Sequence, residues 1–428
     1  MSRIDPRGGR ISGATPAASL PYERALAAFQ SWRSGAGAPL AAALQEAPGF
    51  VMAHVLQAYL LLGSRDPRQV RAARPVLEHA ARLPANARER LHLAAIAAVL
   101  ADDYEAAKAR LSEVLRKHPR DVLALQMAHS LDHTTSTPQR MSERIASVLP
   151  AWSSELPGYH AVLAMHAFAL GECGEYAQAE DRARAALAMN ADDARAHHAM
   201  AHVFEMTDRP AAGLRWMNAH AEFWASGTAV VTHGWWHVAL YHLALGQTDL
   251  ALALYDRQIR ADRSEELADL VDATALLWRL HLLGVDTPSR FGELARAWTP
   301  HIDDRFCSFT DIHAMLAFVG ALDWSRAQRL EQSLIRAPTA TRHGATTRDL
   351  GLPACRGLMA FGRGRHALAL THLASLPALV HQLGGSHAQR DVLHLTLLQA
   401  VERLRRPVRA TQETRTPAAR HATATPIA

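Results

Sequence analysis

Residues 174–193 read Gly-Glu-Tyr-Ala-Gln-Ala-Glu-Asp-Arg-Ala-Arg-Ala-Ala-Leu-Ala-Met-Asn-Ala-Asp-Asp. Ala179 is followed by Ala183 at +4 and Ala186 at +7, and then polar Asn190 to Asp193 break the pattern. Positions spaced this way share one face of an α-helix, so the stretch is a helix with a narrow face of small residues, ended by a turn. The same order returns at Asp103-Tyr104-Glu105-Ala106-Ala107, with Leu111, Val114 and Pro119. It returns again at Gly246-Gln247-Thr248-Asp249-Leu250-Ala251, with Tyr255. Ala327, after Asp323-Trp324, and Ala367, after Gly362 and Gly364, continue the series. A small residue recurring at one place in successive helices marks the close approach of two helices, and a fixed period is the sign of a repeat architecture.

Composition supports that reading. Hydrophobic residues make up 49% of the 428 and aromatics only 6%, so the core rests on Ala and Leu, which favour helix over strand. Lys occurs only at Lys108 and Lys117. The Arg residues that dominate the net charge of +5 are interleaved with acids, as in Ala87-Arg88-Glu89-Arg90. Nucleic-acid binding calls for a clustered basic face, so no nucleic-acid partner is expected. Cys173, Cys307 and Cys355 form no CxxC pair and suit a reducing compartment. No run approaches the roughly 18 apolar residues of a membrane span, and residues 1–21 lack a signal-peptide apolar core. A cytoplasmic protein without membrane contact is expected.

These residues resemble the tetratricopeptide repeat, a helix-turn-helix of about 34 residues. Ala107 to Ala179 is 72 residues, two slightly long repeats, and the steps to Gly213 and Ala251 are 34 and 38. In the register that Ala251 sets, Trp235 takes the tryptophan position of the family's first helix. The expected fold is all-α: an α-solenoid of eight to ten tetratricopeptide-like hairpins forming a right-handed superhelix over residues 21–405. First helices are predicted at 121–133, 158–170, 194–206, 231–245, 269–282, 309–320 and 351–361. A last helix is predicted from an N-cap at Ser386, behind Gly384-Gly385, toward Arg405. Segments 1–20 and 406–428, rich in Gly, Pro, Thr, Ala and Arg, are expected to be disordered.

Histidine is the other signal. Of 25 His, three pairs are spaced four apart: His129/His133, His198/His202 and His233/His237, each pair on one helix face. In tetratricopeptide arrays the first helix lines the concave surface. The register therefore turns His198, His202, His233 and His237 toward one stretch of groove, with Asp272 on the next first helix and His313, beside Asp311, on the one after. The superhelix curls, which places His387, Arg390 and Asp391 of the last helix to close over the same cavity. Neutral imidazoles and carboxylates bind Zn²⁺, Fe²⁺ or Mn²⁺, and imidazole also serves acid-base work near neutral pH. Arg390 could hold a carboxylate or phosphate beside the backbone N–H groups of Gly384-Gly385-Ser386. His54, His79, His92, His118, His343 and His366 are assigned to surface or helix-cap duty, and Trp235 and Trp236 to packing. No GxSxG, Walker, GxGxxG or HExxH motif occurs, so no motif classifies a reaction.

Four strings are similar to the tetratricopeptide repeat protein thirty-eight family: His198-Ala199-Met200-Ala201-His202-Val203-Phe204-Glu205-Met206, Trp236-His237-Val238-Ala239-Leu240-Tyr241-His242, Leu270-Val271-Asp272-Ala273, and Gly384 to Asp391 (GGSHAQRD). The likeness covers most of residues 20–402. It implies a helical solenoid of this length and brings no biochemical activity with it. His129 and His133 lie outside these strings, which weakens their claim to a site.

The expectation is a solenoid whose concave pocket binds a small molecule or a divalent transition metal, with catalysis an open question. His202, His237, His387 and Asp391 are the candidate catalytic groups. His198, His233, Asp272, His313 and Arg390 are the candidate ligand-binding groups, and His198, His202, His233 and His237 the candidate metal ligands. The rival is a non-enzymatic adaptor that takes a peptide or a partner protein along an open concave groove. Oligomeric state is not legible.

Overall fold

Aspartates start many of the helices. The carboxylates of Asp103, Asp121, Asp193 and Asp323 each accept a backbone N–H in the first turn of the helix that follows, meeting donors that a helix leaves unpaired. Asn86 and Glu89 form a reciprocal capping box. The computed structural model describes residues 2–405 apart from Arg65, Ser136 and Thr339. Within it the helices pair into ten consecutive hairpins, from Pro16–Gln30 with Gly37–Glu46 to Leu352–Gly362 with His366–Leu373. A single helix, His387–Arg405, ends the array. The fold is an all-α solenoid.

The predicted first helices appear at Val122–Thr134, Tyr159–Glu172, Ala194–Met206, Val231–Ala244, Leu267–Leu282, Ser308–Gly320 and Leu352–Gly362. Each bound lies within two residues of expectation. The small residues do the work assigned to them. Ala107, Ala179, Gly213, Ala251 and Ala327 are buried, each the fourth residue of its helix. A Cβ at Gly213 would meet the Tyr241 ring at 2.6 Å. In the last hairpin the reading is off by two. Ala369 is the buried fourth residue of His366–Leu373, and Ala367 is exposed.

The core runs through the array in two main blocks that meet on the Val231–Ala244 helix. Val238 and Tyr241 face the first block, and Trp236 and Ala239 the second. Trp236 is fully buried, and Trp235 is half-buried with its ring 5.0 Å from that of Trp224.

Three contacts far apart in sequence bring the superhelix round on itself. At the first, Arg195 Nε donates to Gln30 O at 3.2 Å and Ala229 N to Trp32 O at 2.8 Å. At the second, Tyr104 Oη lies 3.0 Å from His343 Nε2, whose residue also donates its backbone N–H to Asp102 Oδ2 at 3.1 Å. At the third, the start of the last helix enters the groove. Gln389 Nε2 reaches Asp272 Oδ1 at 3.4 Å and Trp278 Nε1 donates to Thr396 Oγ1 at 2.9 Å. His343 therefore belongs to a cross-array latch, a correction to its surface assignment. His92 is corrected too: it is fully buried between Tyr59 Oη and Asp121 Oδ2, each 3.0 Å away.

The expectation of disorder over residues 1–20 does not hold for the described part. Ser2–Ile4 pairs antiparallel with Arg10–Ser12, and the first helix begins at Pro16. The turn between the strands is tied by Asp5, whose Oδ1 accepts from Arg7 N and Gly9 N at 2.9 and 2.8 Å, and by Gly8 at φ +87°. Ile11 is buried and Ser12 N donates to Glu89 Oε1 at 2.7 Å, so the hairpin docks on the third helical pair rather than fraying. The predicted tail at 406–428 lies outside the described residues. Among the described residues no helix is long and apolar enough to cross a membrane.

Candidate functional site

The Ala194–Met206 helix presents His198 and His202 one turn apart, and Val231–Ala244 presents His233 and His237 in the same way. The two pairs face each other. His198 Nε2 lies 2.9 Å from His202 Nε2 and 3.1 Å from His233 Nε2. One ring nitrogen from each of the four lies within 4.8 Å of all the others.

Carboxylates stand behind two of the rings. Asp272 Oδ2 is 2.8 Å from His233 Nδ1, and Glu205 Oε2 is 3.1 Å from His237 Nδ1. Each carboxylate is placed to accept the ring's Nδ1–H, which turns Nε2 toward the other rings. His198 Nε2 faces His233 Nε2 on one side and His202 Nε2 on the other, and a single N–H at His198 Nε2 serves only one of these contacts well. His237 Nε2 has no hydrogen-bond partner among the described residues, nor have the Nδ1 atoms of His198 and His202. Rings hold the planes: Phe168 stacks on His198 at 5.5 Å and Trp236 on His233 at 5.2 Å.

Burial, reinforced by the neighbouring imidazoles, holds His198, His202 and His237 well below the ordinary imidazole range. They are therefore neutral at pH 7, the form that binds metals. Burial also pushes the Glu205 carboxyl up to about 7, against the pull of Arg279 and His233.

A cavity of about 440 Å³ opens beside the cluster. His198, His233 and Asp272 lie in its wall, and His202 and His237 sit behind it. Phe29, Trp32, Phe168, Arg195, His129 and His133 line another part. The contacts that close the superhelix also bound the chamber: Tyr104, His343, Gly384, Gly385, Ser386 and Gln389 all line it. His129 and His133, set aside on the sequence, thus share the chamber with the cluster.

Other candidates fall elsewhere. His313 is buried with Nδ1 2.7 Å from Phe309 O, one turn back on its own helix, and does not line the chamber. His387, Arg390 and Asp391 border a second cavity of about 310 Å³ with His381 and His394. The anion site expected at that helix start is already occupied from within. Ser386 N donates to Gln389 Oε1 at 3.2 Å in a capping arrangement, and Arg390 Nη1 donates to Gly385 O with Glu172 3.9 Å from its Nη2. Asp391 pairs with Arg279. The last helix therefore supplies a wall of the chamber through Gly385, Ser386 and Gln389, and not through its charged residues.

Glu205 and Arg195 were missed as site residues. The signal was available: Arg195, His198, His202 and Glu205 are spaced three, four and three apart, one stripe along a helix face.

No family model matches the chain. Among solved structures it is similar to the Cut9–Hcn1 hetero-tetramer of the APC/C, at 13% identity over 89% of this chain and 76% of that one, with a TM-score of 0.41. A human IFIT1 dimer with m7Gppp-AAAA matches at 12% over 92% and 89%, with a TM-score of 0.43. The TPR domain of P58(IPK) matches at 14% over 90% and 96%, with a TM-score of 0.22. At these values none of the three carries a ligand or partner over to this chain.

Proposed function

We propose that this chain is a solenoid of the tetratricopeptide repeat protein thirty-eight kind that holds a divalent transition metal with His198, His202, His233 and His237, at the wall of a chamber for a small molecule. The observation that carries the reading is the convergence of four ring nitrogens from two hairpins within 4.8 Å. A tetrahedral centre with metal–nitrogen bonds of about 2.0–2.1 Å spaces its nitrogens roughly 3.3 Å apart, so small ring movements would seat an ion. Asp272 and Glu205 supply the outer contacts that orient ligating imidazoles. With four imidazoles in tetrahedral array the site would be closed, so an ion held there would polarise a group entering from the chamber only by taking it as a fifth ligand. His129 and His133 are the neighbouring bases on the chamber side. The adaptor reading needs an open groove. It is less favoured because the last helix and the Tyr104–His343 latch cross the groove where a peptide would lie.

Metal analysis of the purified full chain, followed by reconstitution with Zn²⁺, Fe²⁺ and Mn²⁺, tests the reading. About one ion per chain is expected, falling to none when His198 and His233 are both replaced by Ala. A chain that takes up no ion at equilibrium with any of the three would rule the centre out.

A further inference from the structure

The chamber contains a buried cation that makes no direct ion pair among the described residues, with the nearby Asp193 carboxylate acting on it only through space. Arg195 is 3% exposed and lies in the chamber wall. Its Nε donates to Gln30 O, and its guanidinium carbon sits 4.4 Å over the Trp32 ring. Beyond these contacts its two terminal nitrogens have no hydrogen-bond partner, and no carboxylate forms an ion pair with it, among the described residues. Asp193, two positions before it, is committed elsewhere: Oδ1 accepts from the N–H groups of Arg195 and Ala196, and Oδ2 lies 2.7 Å from His160 Nδ1. Of the acids in the chamber wall, Asp272 is taken by His233, and Asp269 makes no ion pair with Arg195.

A desolvated charge left unpaired destabilises a fold unless something compensates it. The bond to Gln30 O and the face of Trp32 engage Nε and one face of the guanidinium and leave its terminal N–H donors open. The remaining partner is one that enters the chamber. A guanidinium presents two parallel N–H donors that match a carboxylate. Beside it Phe29, Phe168 and Trp32 offer an apolar, aromatic surface.

We propose that the chamber takes an organic carboxylate, its carboxylate paired with Arg195 and its apolar body lying against Phe29, Phe168 and Trp32. This deepens the small-molecule reading of the same chamber but does not depend on a metal in the histidine cluster. The ligand class is a monoanionic acid with an aryl or alkyl body that fits within about 440 Å³. With its carboxylate on Arg195, the rest of such a molecule extends toward His198 and His233, in the same wall system. The carboxylate end is thus held and the far end is exposed to the cluster.

The test is titration calorimetry on the full chain, after chelator treatment and again after metal loading. The probes are 4-phenylbutyrate, 6-phenylhexanoate and octanoate, each against its primary amide. The expected result is an acid that binds at least tenfold more tightly than its amide, with or without metal. Arg195→Gln should bind acid and amide alike, and Arg195→Lys should keep part of the preference. The inference is overturned if no acid outbinds its amide in the unaltered chain, or if Arg195→Gln retains the preference. Should Arg195→Gln lose both ligands through distortion of the Gln30 turn, Arg195→Lys decides: a kept preference supports the inference and a lost one overturns it. Acid preference in a chain that takes up no metal would sink the metal centre and leave this inference standing.

Discussion

The Nε2 atoms of His198 and His202 stand 2.9 Å apart on one turn of the Ala194–Met206 helix, within a cluster that buries more ring nitrogens than it pairs. Burying polar groups without partners costs stability, about 1–3 kcal/mol for each unsatisfied group. Three such nitrogens in one place are more than an Ala- and Leu-based core needs. A cation between the rings would ligate the unpartnered His237 Nε2 and turn the close approach of the Nε2 atoms of His198, His202 and His233 into ligation, though not the Nδ1 atoms of His198 and His202. The first two predictions rest on that difference.

Replacing His202 by Phe separates the two roles. The ring packs against Phe168 at 5.6 Å and His237 at 4.6 Å, and Phe keeps a planar ring there with somewhat more volume. Metal-free protein should keep its thermal midpoint within about 1.5 kcal/mol, because removing the unpartnered Nδ1 offsets the lost Nε2 contact with His198 and the added ring volume. Metal uptake should be lost. A midpoint that falls like that of a large-to-small core variant would show that His202 serves packing.

Glu205→Gln and Asp272→Asn act one step out. Each leaves its imidazole a weaker acceptor for the Nδ1–H, so metal affinity should fall about 10–100-fold in each with helix content unchanged. Competition against a chromophoric chelator measures this. Equal affinity in both variants and the original would mean that the carboxylates do not support a centre.

Legibility followed contact distance along the chain. The helices were readable because Asp103, Asp193 and Asp323 act within one turn and because small residues recur at a fixed place in each hairpin. The facing of His198, His202, His233 and His237 followed from the same register. What the register could not report is which turns of the superhelix meet. Tyr104 and His343 are 239 residues apart, and their latch left no local trace. The same blindness hid His129 and His133, which reach the chamber only because the array closes. Arg390 and Asp391 were misplaced because composition shows that a helix start is polar, not which way each side chain turns. Asp5 and Gly8 did carry a turn signal, but the Pro- and Gly-rich surroundings outweighed it.

Closure by the last helix depends on Gly385. It adopts φ +78°, and a Cβ there would come within 2.8 Å of the Phe309 ring. Gly385→Ala is therefore strained by backbone and by contact alike. The helix start should be displaced from the chamber, and a chelator should then strip the ion several-fold faster while the hairpins remain helical. Unchanged stripping kinetics would mean that the last helix does not control access.

Asp311 gives a pH signature away from the cluster. Its side chain is 3% exposed, Oδ2 has no hydrogen-bond partner among the described residues, and burial, with nearby Asp304, pushes its carboxyl up to about 8. In the unfolded chain the same group titrates near 3.9. Below about pH 4 both states hold the proton and the group has no effect on stability. Between about pH 4 and 8 the unfolded state releases its proton and the folded state keeps it, so stability falls with rising pH across that window, by on the order of a few kcal/mol in all. Above about pH 8 both states are ionised and the loss levels off. Asp311→Asn removes the titration while keeping the shape. The variant should unfold at a higher temperature than the original at pH 8, with the gap closing steadily as the pH is lowered toward 4. Thermal melts across that range measure it, and a gap that is absent at pH 8 or independent of pH would mean that the Asp311 carboxyl is not held protonated by the fold.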